Sequence, residues 1–374
     1  MITFNKPYLT GKETDYIKDA VSNLKISGDG VYTKKCHKYF EEIFKFKKVL
    51  LTTSCTDALE MAAILLDIKE GDEVIAPSYT FVSTVNAFIL RGAKIVFTDS
   101  CKENPNMDVD SIEALITPKT KVILPVHYAG IACDMDKIMQ IADKHNLFVV
   151  EDAAQAIDSY YKGKPLGSIG HLSAFSFHET KNIISGEGGM LVINDERFLH
   201  RAEIIREKGT NRSSFFRGEV DKYGWVDIGS SFLPSDIIAA FLFAQLENLK
   251  TIQDRRKAIW NVYNDKLKAL NAKGIKTPFI PDYATNNGHM YYLVCRSLEE
   301  RTQLIEHLKK NNVHAVFHYL SLHSSPFYKD KHDGRELPDT DQYSNCLIRL
   351  PLYFELTNQE VALISDLILS FYSL

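Results

Sequence analysis

Between residues 48 and 195 short apolar runs recur along the chain: KVLLTTS, DEVIAPS, KIVFTD, KVILPVH, LFVVEDA, SAFSFH and GMLVIND. Amphipathic stretches such as TDALEMAAILLDI and DMDKIMQIADKHN separate them, with apolar residues at helical spacing. This alternation predicts an α/β unit, a largely parallel sheet with helices on both faces. Ligands of such sheets sit beyond the carboxyl ends of the strands, so the residues that follow each run are where chemistry is expected. Helical spacing continues from Ser235 to about Leu249 and then breaks in NDKLKALNAKGIKTPFIPDYATNNGH. A domain boundary is therefore expected near residue 250, with residues 1–250 forming the large unit. Residues 251–374 carry MYYLVC, a helix opened by a capping box at Ser297 (SLEE), AVFHY and a last helix after TNQE, which together predict a smaller α+β unit.

Composition narrows the function classes. A chain of 374 residues, 45% apolar and 25% charged, can bury two cores. The net charge of −4 is spread over interspersed signs, so no field favours nucleic acid or an anionic membrane, and a small-molecule partner is expected. The opening MITFNKPYLTGKETD lacks a signal-peptide pattern and no run is long enough to span a bilayer, which predicts a cytoplasmic protein. Cys36, Cys55, Cys101, Cys133, Cys295 and Cys346 form no C-x-x-C pair, so neither a metal site nor a disulfide framework is expected.

The strand ends carry the candidate chemistry. In VLLTTSCTDALEMAAILL the turn Ser54–Asp57 precedes a helix whose first N–H groups offer an anion site, with simple capping by Thr53, Ser54 or Thr56 as the alternative. No Walker or dinucleotide fingerprint is present, so a phosphate held there is a compact monoester. In LFVVEDAAQA the acids Glu151 and Asp152 follow a buried strand, where a carboxylate needs a cation or donor unless it caps a helix. In FSFHETKNIISGEGG the polar Ser176 and His178 alternate with Phe175 and Phe177, and Lys181 lies just past the strand end before a glycine-rich turn. A loop lysine is ordinarily solvated, but over a low-dielectric floor its amine loses its proton readily and becomes a nucleophile. Lys181, Asp152, the Ser54–Asp57 turn with Ser176, and Phe81 in APSYTFVST match what pyridoxal 5′-phosphate requires: an amine for its aldehyde, an acid for its ring nitrogen, a phosphate cradle and a flat stacking surface.

With GDEVIAPSYTFVSTVNAF and GAKIVFTD, these motifs give most of the chain a likeness: it resembles the sugar-nucleotide aminotransferases of the DegT/StrS group. The resemblance implies the aspartate-aminotransferase-like (type I PLP) fold. It makes Lys181 the lysine that bonds the cofactor and moves protons, and Asp152 the partner of the pyridine nitrogen. Gln155 falls near the phenolic oxygen, Phe81 on the ring, and Cys55, Thr56, Asp57 and Ser176 at the phosphate. Ser231, in DIGSSFLPSD, stands where many relatives carry an asparagine that reaches the neighbouring subunit's cofactor, so a homodimer is implied.

VILPVHYAG, REKGTNRSSFFRGEVDKYGW and FHYLSLH further resemble members that aminate C4 of dTDP-4-keto-6-deoxyglucose with L-glutamate, giving dTDP-4-amino-4,6-dideoxygalactose for surface polysaccharide. The gluco epimer, a 3-amino product and a non-catalytic binding protein of this fold stay open. A branch of dehydratases replaces the lysine by histidine, and Lys181 argues against it. Lys208, Arg212 and Arg217 lie in an aromatic-containing loop and are candidates for the nucleotide diphosphate. Arg201 and Arg206 read as a solvated helix face. His318 and Tyr319 are candidates for the sugar, with core packing as the alternative, and His127 and Tyr128 read as packing.

Overall fold

The computed structural model describes residues 1–373. All seven apolar runs become strands of one sheet: β1 (Val49–Thr52), β2 (Glu73–Pro77), β3 (Lys94–Thr98), β4 (Thr120–Ile123), β5 (Phe148–Asp152), β8 (Leu172–Ser176) and β9 (Gly189–Ile193). The crossing from β5 to β8 carries only a small hairpin, β6 (Tyr160–Tyr161) with β7 (Lys164–Pro165). The sheet order is β1-β9-β8-β5-β4-β2-β3. Only β9 opposes its neighbours; the pairings from β8 to β3 are all parallel.

Alternate residues of each strand enter different cores, as the pleat demands. Leu51, Ile75, Ile123, Val149, Phe175 and Met190 face one side, where Phe40, Ile138 and Leu242 arrive from the helices Val31–Ile43, Met135–His145 and Asp236–Glu247. Leu50, Val74, Val122, Val150, Ala174 and Leu191 face the other, covered by the helices Cys55–Leu65, Val82–Ile89 and Leu199–Arg206. Burial on both faces is why these strands read as continuous apolar runs.

The helix Leu249–Leu267 links the two parts of the chain. Leu249 and Ile252 pack into the first core, whereas Ile259, Trp260, Tyr263 and Leu267 belong to a third core built on β10 (Tyr291–Val294), β11 (Val316–Phe317) and β12 (Leu347–Leu350). These three strands form an antiparallel sheet in the order β10-β12-β11. The chain start packs against the same core, with Ile2 bridging Val313 beside the sheet. Ser297 caps the helix Leu298–Lys310, but Glu300 returns its side chain to the Arg296 N–H, so only half of the expected capping box forms there. The reciprocal box forms at Thr357 and Glu360 instead. Among the described residues no helix is long and apolar enough to cross a membrane.

Candidate active site

A cleft of about 480 Å³ opens at the carboxyl ends of the large sheet, closed on one side by residues from the small one. Its floor begins where β8 turns back into β9. The strands stay coupled past their ends: Phe177 N–H donates to Gly188 O, Ser185 N–H to Phe177 O and Glu179 N–H to Gly186 O. Gly186 turns the chain at φ +81°. Lys181 sits on this loop with its N–H on His178 O, and the next residue anchors it. The Asn182 amide donates to Gln253 Oε1 (2.8 Å) and Asn287 O (2.9 Å), while His289 Nδ1 lies 2.7 Å from Asn182 Oδ1. Burial pulls the Lys181 amine below the ordinary lysine range, a nearby Asp152 opposes that, and the charge of Arg349 adds to the lowering.

Strand parity separates the two acids. Glu151 is fully buried and accepts from His127 Nε2 and from the N–H groups of Gly167, Ile169 and Gly170. Burial alone would raise its pKa, but His127 and those N–H groups outweigh it and the group sits low. Glu151 and His127 are therefore structural. Asp152 points the other way, into the cleft. Thr84 Oγ1 donates to Asp152 Oδ2 (2.7 Å) and Ala154 N–H to Oδ1 (3.1 Å). Burial nevertheless leaves its pKa raised, so a cation brought beside it is strongly favoured.

The phosphate cradle is the start of the helix Cys55–Leu65. Ser54 caps it by accepting the Asp57 N–H (3.0 Å). The Asp57 N–H is thus taken up by the cap, and its carboxyl, pushed up to about 6 by burial and by Glu60, meets Thr53. The N–H groups of Cys55 and Thr56 remain unpaired by the helix itself, beside the hydroxyls of Ser54, Thr56 and Ser176. The Cys55 thiol is held protonated by burial, so only its backbone suits an anion.

Gly189 permits the cradle to lie this close to the sheet. A methyl group there would come 2.3 Å from the Ser54 carbonyl and 2.4 Å from Cys55 N. Gly189→Ala is expected to cost about 1–3 kcal/mol of stability and to weaken cofactor retention, read by thermal denaturation and by visible absorbance after dialysis.

Phe81 stands half-exposed over the cleft, its ring 6.0 Å from that of Tyr319. Gln155 accepts the Ala129 N–H (2.6 Å) and donates to the Tyr319 hydroxyl (3.3 Å). His318 Nδ1 lies 3.0 Å from the Tyr128 hydroxyl and its Nε2 3.1 Å from Arg349 Nη1. An arginine only donates, so His318 Nε2 accepts and the ring is neutral, in keeping with burial that pulls its pKa well down.

The predicted residues thus divide. Lys181, Asp152, Gln155, Phe81, Cys55, Thr56, Ser176, His318 and Tyr319 all line the cleft. Ser231, Lys208, Arg212 and Arg217 do not line it within one chain. Ser231 bridges Glu207 on an exposed segment, Arg212 packs over Phe216, and Arg217 is held by Glu203 (2.9 Å) and Glu219 (2.6 Å). The solvated face expected of Arg201 and Arg206 is also corrected. Arg206 is buried against Asp29 (2.7 Å), and Arg201 pairs with Asp227 and Asp67. Thr84 and Arg349 line the cleft without having been singled out in the sequence. A threonine one helical turn beyond Thr80 and an arginine inside the apolar run CLIRLPL were the available signals.

Unpaired N–H groups and hydroxyls for a phosphate, an acid ready for a ring nitrogen, a flat aromatic surface and a lysine with a depressed pKa fit pyridoxal 5′-phosphate. Residues 7–368 match the DegT/DnrJ/EryC1/StrS aminotransferase family. GDP-perosamine synthase of Escherichia coli O157:H7 is 35% identical over 98% of both chains. The spore coat polysaccharide biosynthesis protein SpsC of Bacillus subtilis is 32% identical over 96% of this chain and 94% of its own. The PLP-form of the Streptococcus pneumoniae protein Spr1654 superposes with a TM-score of 0.91 at 28% identity, over 100% of this chain and 98% of its own. The chain therefore belongs to the DegT/DnrJ/EryC1/StrS family of pyridoxal phosphate-dependent aminotransferases, with the fold of that enzyme class.

Proposed function

We propose that the protein transfers the amino group of L-glutamate to C4 of dTDP-4-keto-6-deoxyglucose, giving dTDP-4-amino-4,6-dideoxygalactose and 2-oxoglutarate. The observation that carries the reaction type is the shared cleft of Lys181 and Asp152. The nucleotide-sugar class is supported by relatives named for GDP-perosamine synthesis and for spore coat polysaccharide. The particular sugar rests on the likeness of VILPVHYAG, the 206–225 loop and FHYLSLH to enzymes with that substrate.

Pyridoxal 5′-phosphate, when bound, supplies an aldehyde that carries the amino group and a ring that takes up an electron pair. The chain does the rest. Cys55 and Thr56 N–H groups with Ser176 hold the phosphate, Asp152 keeps the ring nitrogen protonated, and Phe81 covers the ring. Lys181 takes the proton from the donor Cα and later delivers one to C4 of the sugar, a shuttle that needs an amine able to exist in both states. Its depressed pKa meets that need.

A homodimer is part of the same reading. Phe216, Tyr223 and Trp225 are 69%, 53% and 85% exposed, in the segment that also carries Lys208 and Arg212. A second copy would cover these rings and could bring Ser231 or the loop cations to its partner's cleft.

The relative named for a GDP-linked product favours a second reading, in which the base is guanine. Both are tested by incubating the holoenzyme with L-glutamate and either the dTDP- or the GDP-linked 4-keto-6-deoxy sugar, followed by NMR of the product. An axial 4-amine in the dTDP arm is expected. An equatorial amine moves the product to the gluco series, and conversion in the GDP arm alone replaces the substrate.

A further inference from the structure

Arg349 is the cation of the cleft that the reaction above leaves unused. It lies in the middle of β12, paired in register with Tyr292 on one side and Val316 on the other. Ile348 and Leu350 flank it and go into the core, so the pleat turns Arg349 outward to the cleft wall. Its guanidinium carbon stands 4.8 Å from the Phe4 ring, and Nη1 donates to neutral His318 Nε2. Nε is buried and has no partner among the described residues.

A guanidinium in a half-buried wall, with an imidazole for its one polar neighbour and no carboxylate in ion-pair reach among the described residues, calls for an anion from outside. The phosphate cradle at Cys55 and Thr56 belongs to the large sheet, whereas Arg349 enters from the small one. It also lines the same cleft as Lys181, close enough for its charge to be felt at that amine. The amino donor brings carboxylates to the carbon from which Lys181 removes a proton.

We propose that Arg349 binds a carboxylate of the amino donor, with His318 and Phe4 holding the guanidinium in place. The partner chemistry is an α-amino dicarboxylate recognised through the paired, parallel N–H bonds that a planar fork supplies and an ammonium does not. This rests on the aminotransferase reading and adds the residue that selects its donor.

The test separates the two substrates of holoenzyme carrying Arg349→Gln. The KM for L-glutamate is expected to rise about 30-fold or more, with the KM for the keto sugar unchanged. Calorimetric titration with glutarate, which cannot react, is expected to weaken by a similar factor. Arg349→Lys, which keeps the charge in the sheet should Arg349→Gln fail to fold, is expected to recover part of both losses. A rise confined to the sugar KM would hand Arg349 to the diphosphate and overturn the proposal. Unchanged glutarate affinity, or equal losses for both substrates together with lost cofactor, would overturn it as well. Wild-type protein that moves no amino group from any donor would instead sink the functional reading itself, a result seen before any variant is made.

Discussion

Lys181→Ala is expected to lower amino transfer by at least about 10³-fold, because one side chain both captures the cofactor and moves the protons. The variant should still fold, since the loop is secured elsewhere: the Lys181 N–H to His178 O is backbone, and Asn182 is tied to Gln253 and Asn287. Two measurements check it. Turnover with L-glutamate and keto sugar should vanish, and the visible absorbance of purified protein should shift, because the cofactor would be held without its covalent link. Added primary amines should restore part of the proton transfer but not the tight retention. Unaltered turnover would remove Lys181 from the chemistry. The pH dependence follows from the same amine. Proton abstraction needs its neutral form, so the rate should climb with pH through a pKa below that of an ordinary lysine, the direction in which burial moves it.

The sheet was legible because its strands are buried on both faces, which turns them into short apolar runs that alternate with amphipathic helices. The site was legible in part, and the reason is distance along the chain. Lys181 and Ser176 lie within a few residues of the strand end that positions them, so local pattern sufficed. Glu151 and Asp152 read alike in the sequence, and only the pleat of β5, with the loop Gly167–Gly170 on one side and Thr84 on the other, separates a structural acid from a site acid. The arginines misled for a related reason. Arg206 has a helical position's spacing, yet its partner Asp29 lies 177 residues away, and the resulting buried pair leaves no local trace. Arg217 looked free in sequence and is satisfied by Glu203 and Glu219. Arg349 looked like one charge in an apolar strand, and its neighbours Phe4 and His318 belong to the same small unit but stand far from it along the chain.

Asp152→Asn is expected to lower kcat by about 10²–10³-fold, the scale seen when a preorganised group that stabilises charge developing in the transition state is lost. The carboxylate is buried, and burial raises its pKa, so it is reluctant to ionise without a cation beside it. A ring nitrogen placed against it would change the balance, because Asp152 would then be held ionised beside a cation and the pair would offset the cost of burying each partner alone. An amide of the same shape keeps the packing but offers no charge, the ring nitrogen loses its proton, and the electron pair released at the donor Cα has nowhere favourable to go. The loss should fall on both halves of the reaction equally, unlike that of Arg349→Gln. Thr84→Val grades the effect. It removes the 2.7 Å bond to Asp152 Oδ2 and leaves the Ala154 N–H, so the carboxylate becomes still harder to ionise and kcat should fall about 5- to 30-fold, the equivalent of about 1–2 kcal/mol. Single-turnover rates with L-glutamate, compared across wild type, Thr84→Val and Asp152→Asn, should descend in that order. A variant series in which Asp152→Asn matches wild type would show that the ring nitrogen needs no proton from this chain, and would remove Asp152 from the site.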